Sequence, residues 1–97
     1  MLDYFKQIKL MPQELLTVRV ITPHKTIYTG QALAVSSSNS AGDFDILPEH
    51  ANFITLVENV PIKIITENRE TKEFNFSQAL IYNASNSVSI YAEPLSL

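Results

Sequence analysis

Acid–base or metal chemistry needs titratable side chains held in register, and this sequence offers three places to look for it. His24 follows Pro23 in Thr22-Pro23-His24-Lys25, a turn by composition, where a histidine is ordinarily solvated. Asp43 and Asp45 flank Phe44. On a strand these two share a face and could offer oxygens to a hard cation. Too few other ligands accompany them, and a solvated strand edge is the plainer reading. The third place is Gly42-Asp-Phe-Asp-Ile-Leu-Pro-Glu-His-Ala51. Pro48 has no N–H to give a ladder, so the strand ends there and Glu49, His50 and Ala51 stand at an exposed corner, where proteins usually recognise rather than react. For His50 itself, a hydrogen bond within its own turn is the simpler role.

The remaining chemistries are poorly supplied. Ser36-Ser37-Ser38 lacks a Gly-x-Ser-x-Gly elbow and a neighbouring base. Two glycines in the chain make neither a P-loop nor a dinucleotide-binding turn. With no cysteine there is no thiolate metal site, redox pair or disulfide framework, which fits a reducing, intracellular setting. No catalytic residue, cofactor or metal is expected.

The elements that must carry these residues are short apolar runs separated by Asn, Gly, Pro and Ser. Leu16 to Ile21 alternates with period two, as a half-buried strand does. Thr26–Thr29, Ala32–Ser36, Phe44–Leu47, Phe53–Val57, Val60–Thr66, Lys72–Phe76, Ala79–Tyr82 and Ser87–Tyr91 follow. Residues 37–42 read as a loop, and Glu67–Glu70 and Asn83–Asn86 as hairpin turns. Pro61 belongs at the start or edge of its strand. Gly30 supplies a backbone angle or a close approach. Phe44, Phe53, Phe74, Phe76, Tyr82 and Tyr91 lie mostly within these strands, where packing in the core is the usual role. Eight or nine strands at this spacing predict an all-β, two-sheet sandwich or barrel. Leu2, Phe5 and Ile8 recur every third residue before Pro12, which predicts a short N-terminal helix. The expected organisation is an N-terminal extension, 1–14, and a sandwich domain, 15–97.

At 97 residues one core suffices, and 45% hydrophobic with 18% charged residues does not describe a disordered chain. The formal charge of −3 is interleaved with seven basic residues, so no concentrated basic face exists for nucleic acid. No apolar run reaches the ~20 residues needed to cross a bilayer, and the N-terminus lacks a secretory h-region, so a soluble protein without membrane insertion is expected. Asn75-Phe76-Ser77 and Asn83-Ala84-Ser85 match the glycosylation sequon, read here as coincidence.

The pattern Gly42, Phe44, Ile46, Leu47, Pro48, His50, Ala51, together with Val18-Arg-Val-Ile-Thr-Pro23 and Ile27-Tyr-Thr-Gly30 upstream, resembles the first domain of the epsilon subunit of F-type ATP synthases. The similarity runs through Leu56, Val60–Thr66, Phe74–Phe76 and Ser87–Ala92, covering roughly residues 15 to 92. The resemblance implies a sandwich of about ten strands in the central stalk, holding the gamma subunit against the c-ring during proton-driven ATP synthesis. It implies a coupling part without catalysis or cofactor, peripheral to the energy-coupling membrane on the cytoplasmic side. In that family the loop bearing the pattern faces the rotor, so Asp43, Glu49 and His50 are the expected partner-binding residues. Departures occur where the family has glycine or proline: Asp45, Glu49, Asn52, Glu58-Asn59 and Ser77-Gln78-Ala79-Leu80. Side chains at backbone-permissive positions imply different local turns. They also leave open a stand-alone interaction module that kept the sandwich and changed its partner. The family commonly continues into a two-helix hairpin, for which Pro94 and Leu97 leave no room, so inhibition and nucleotide sensing are not expected.

Overall fold

The computed structural model of the protein describes residues 14–93, and the short N-terminal helix expected from Leu2, Phe5 and Ile8 lies outside them. The described residues form eight strands and no helix: β1 (Leu16–Ile21), β2 (Thr26–Asn39), β3 (Gly42–Ile46), β4 (Phe53–Glu58), β5 (Pro61–Thr66), β6 (Thr71–Asn75), β7 (Gln78–Ala84) and β8 (Ser87–Glu93). The nine anticipated runs become eight because two of them and the start of an anticipated loop are one strand. β2 runs 14 residues through Gly30 and the serines to Asn39, leaving only Ser40 and Ala41 as the turn.

That length lets β2 serve both halves of the fold. Its first half pairs with β1, from Thr26↔Ile21 to Ala32↔Leu16. Its second half pairs with β5 on one side and β3 on the other, Val35 lying opposite both Ile64 and Ile46. The hydrogen-bonded order is β4-β7-β8-β1-β2-β5-β6, with β3 on β2, so one sheet curls over itself into two facing layers. One layer is β4-β7-β8-β1 with the start of β2, and the other is β3, the end of β2, β5 and β6. β1 and β8 pair in parallel, Val18 beside Val88 and Val20 beside Ile90.

Between the layers lie Leu16, Val18, Val20, Ala32, Val35, Ile46, Val57, Ile62, Ile64, Ala79, Ile81, Val88, Ile90 and Ala92, all buried. Full burial of each Val, Leu or Ile stabilises by about 1.5–3 kcal/mol relative to exposure. The phenylalanines pack at the margins of this core, as expected of them. Phe44 meets Phe53 edge-on at 5.3 Å between centroids, joining β3 to β4 across the layers. Tyr28 lies edge-on to Phe74, itself stacked on Phe76. Gly30 is the close approach: a Cβ there would sit 2.9 Å from the Tyr28 hydroxyl.

The turns follow local chemistry. Ser85 and Asn86 both have positive φ, 48° and 63°, the two-residue hairpin turn whose twist matches its strands. At Thr22–Lys25, the Thr22 N–H donates to the Lys25 carbonyl at 2.8 Å and its hydroxyl to the same oxygen at 3.1 Å, leaving His24 exposed. No helix among the described residues is long and apolar enough to cross a membrane.

Candidate partner-binding surfaces

The loop from β3 to β4 opens with Leu47-Pro48-Glu49-His50. Its closing bond runs from the His50 N–H to the Leu47 carbonyl at 3.0 Å, and Glu49 has φ 69°. Proline second and positive φ third define a type II turn, whose third position favours glycine. Glu49 adopts that conformation with a side chain, and Asn59 likewise has φ 53°. The expectation that side chains at these positions change the turns is therefore corrected at both: each takes the left-handed backbone that a glycine would take.

What holds this loop is the neighbouring β7–β8 hairpin. The Glu49 N–H donates to Asn86 Oδ1 at 2.7 Å, and the Ser85 N–H donates to Asn52 Oδ1 at 3.3 Å. Asn83, fully buried on β7, donates from Nδ2 to the carbonyls of His50 (3.3 Å) and Ala51 (3.1 Å). Burial also rules Asn83 out as a glycosylation acceptor. Glu49, His50, Ala51, Asn52, Ser85 and Asn86 line an open groove of about 330 Å³. The His50 ring is half-buried, edge-on to Phe53 at 5.5 Å, with Nδ1 2.7 Å from the Ala51 carbonyl oxygen, so part of its bonding capacity is used within its own loop. Glu14, just before β1, reaches the same end. A hydrogen bond with the Glu49 carboxyl, then their like charge, raises the Glu14 carboxyl above the usual carboxylate range.

Asp43 does not join this group. It faces outward from β3, opposite Ser38, in a separate groove of about 290 Å³ shared with Ser36, Asp45 and Lys63. There Asp45 accepts a hydrogen bond from the Ser36 hydroxyl. Among the described residues, no three His, Asp or Glu side chains converge as a metal site would require.

A second surface escaped the sequence reading. On β7 the inward positions are Ala79, Ile81 and Asn83, while Leu80 and Tyr82 face outward. Alternation alone would bury the leucine and tyrosine and expose the asparagine. Across the ladder, Ile54 lies opposite Tyr82, Leu56 opposite Leu80, and Leu80 opposite Tyr91. All five are exposed, from 38% for Leu80 to 59% for Ile54. The expected core role of Tyr82 and Tyr91 is thus corrected: their strands continue the ladder on the opposite face. Polar pairs border the stripe, with Gln78 donating to Glu93 at 3.1 Å on one side and Arg19 to Ser89 at 3.1 Å on the other. A contiguous apolar patch with a polar border is the anatomy of a protein interface. The signal in the sequence was the doubled apolar run in β4, Phe53-Ile-Thr-Leu-Val57, where both faces carry hydrophobic side chains.

Residues 15–95 match the family model described as ATP synthase, Delta/Epsilon chain, beta-sandwich domain. The ATP synthase epsilon chain of Brevibacillus brevis is 30% identical over 82 residues, 84% of this chain and 62% of that protein. The one from Sulfurimonas denitrificans is 37% identical over 57 residues, 59% of this chain and 44% of that protein. The chain thus spans no more than 62% of the length of either relative. Among solved structures, a chain of the Euglena gracilis mitochondrial ATP synthase, OSCP/F1/c-ring in rotational state 1, superimposes with TM-score 0.73 at 12% identity, covering 95% of this chain and 64% of that one. A chain of the Tetrahymena thermophila mitochondrial ATP synthase, central stalk and c-ring, gives 0.65 at 17% identity, covering 84% and 66%. At these identities the likeness is one of fold.

Proposed function

Since the chain belongs to the ATP synthase delta/epsilon family, as its β-sandwich domain, we propose that it is a non-catalytic rotor part of the central stalk, coupling the gamma subunit to the c-ring in proton-driven ATP synthesis. The observation that carries this reading is the inverted alternation of β7. Leu80 and Tyr82 sit in water and Asn83 in the core, an arrangement that wastes apolar burial unless a partner covers the outer face. A coupling part needs two contacts, and the molecule offers two of different chemistry. The apolar stripe Ile54, Leu56, Leu80, Tyr82 and Tyr91 suits a lasting contact with gamma. The polar β3–β4 loop bearing Glu49 and His50, with Asp43 on the outward side of β3, suits the contact toward the c-ring, at the periphery of the membrane and without insertion.

The epsilon-chain relatives extend well beyond the matched region, so the proposal is confined to coupling. Affinity purification of the tagged protein from its own cells at near-physiological salt, with mass spectrometry of the eluate, tests it. Gamma together with the catalytic subunits is the expected company. A different partner, or none, would replace this reading with the stand-alone interaction module.

A further inference from the structure

We infer that Asn83 is a positioning residue for the β3–β4 loop, retained for the shape of that loop and at the expense of core packing. The inference rests on the reading of the loop as a partner contact. Asn83 is fully buried on the inward face of β7, in line with Ala79 and Ile81, where a hydrophobic residue would extend the core. Its Nδ2 reaches 32 and 33 residues back along the chain to the carbonyls of Ala51 and His50. Those two acceptors fix the amide: turned over, its oxygen would face two carbonyl oxygens. In the orientation so fixed, Oδ1 is buried and has no hydrogen-bond partner among the described residues. A buried polar atom left unpaired lowers stability, and an apolar residue there would avoid that loss while giving up two bonds to the carbonyls of His50 and Ala51, on a loop that water reaches. The side chain therefore does something other than hold the sandwich together. What it touches is the backbone immediately after Glu49, at the point where the strained left-handed turn leads back into β4. Asn86 and Asn52 fasten the same loop from its exposed side, and Asn83 fastens it from within.

The test is Asn83→Val in the full chain, compared with the parent and with the triple variant Asp43→Ala, Glu49→Ala, His50→Ala. Three quantities are read: melting temperature, amide exchange at Glu49, His50 and Ser85, and affinity for the gamma–c-ring rotor purified from the same cells. Melting at or above the parent's, faster exchange at those amides, and an affinity loss of about tenfold from the cost of re-ordering the loop are expected. Asn83→Asp, which keeps the shape and removes the donor, should loosen the same amides. A valine variant that melts lower or does not fold overturns the inference, because Asn83 would then be a stabilising core residue. Parent-like affinity in Asn83→Val with loss in the triple variant overturns the positioning role alone. Parent-like affinity in both removes the loop from the partner contact altogether.

Discussion

The outer face of β4, β7 and β8 and the polar end built from the β3–β4 loop and the β7–β8 turn belong to the same strands, yet they are made in opposite ways. The outer face owes its shape to regular ladders: every second residue projects outward, and Ile54, Leu56, Leu80, Tyr82 and Tyr91 line up because their strands are in register. No side-chain hydrogen bond is needed to place them. The polar end has no ladder to lean on, and side-chain amides of Asn52, Asn83 and Asn86 replace it. A face set by backbone register tolerates substitution of its side chains without moving. A loop set by single hydrogen bonds changes shape when one is lost.

The sharpest way to break this comparison is to place charge within the apolar stripe. Ile54→Glu with Leu80→Glu should weaken binding to the gamma subunit by at least about 2 kcal/mol, roughly 30-fold, as loss of central apolar anchors does. Unfolding in denaturant should shift by no more than about 0.5 kcal/mol for each exposed site. Full binding would show that the stripe is not the contact. A smaller effect is expected at the polar end: replacing Asp43, Glu49 and His50 together by alanine should cost roughly tenfold in rotor binding, much of it in the association rate and sensitive to salt. Stability should change by about 1 kcal/mol at most, for the lost edge contact of His50 with Phe53. Within that set, Asp43→Ala alone should matter least, since it lies in another groove.

The smallest effect concerns Glu14 and Glu49. A carboxyl raised by its neighbour favours the folded state fully below its unfolded pKa, and that contribution is lost as pH rises from the ordinary glutamate value of 4.5 through the raised folded one. Glu14 is fully exposed, so solvent screens most of it. Titration of the Glu14 side chain by NMR should show a midpoint above 4.5 that returns toward that value in Glu49→Gln. An unmoved midpoint would separate Glu14 from the polar end.

Much of the fold could be read in advance because strand and turn chemistry are local. Leu16, Val18 and Val20 alternate into the core as their spacing demands, Pro61 opens β5, and Val88 and Ile90 share the buried face. The candidate site was legible only in part. Pro48 marked the corner and Glu49 and His50 stand there, but Asp43 faces elsewhere, because one pleat separates it from Phe44, which turns inward to Phe53. From sequence Asn83 reads as a turn residue, since asparagine beside Ala-Ser-Asn is common in turns and nothing local shows two carbonyls waiting more than thirty residues away.

The sequence by itself determined an all-β domain, most of its turns, the absence of thiolate chemistry and the exposed corner at Pro48, all consequences of residue type over a few neighbours. Tertiary structure decided which face of β7 is inward, that β1 and β8 lie side by side in parallel, and that one long β2 joins the two layers. Period two gives two faces to every strand and cannot choose between them when both carry apolar side chains. Only the second layer, by covering Ala79, Ile81 and Asn83, leaves Leu80 and Tyr82 exposed.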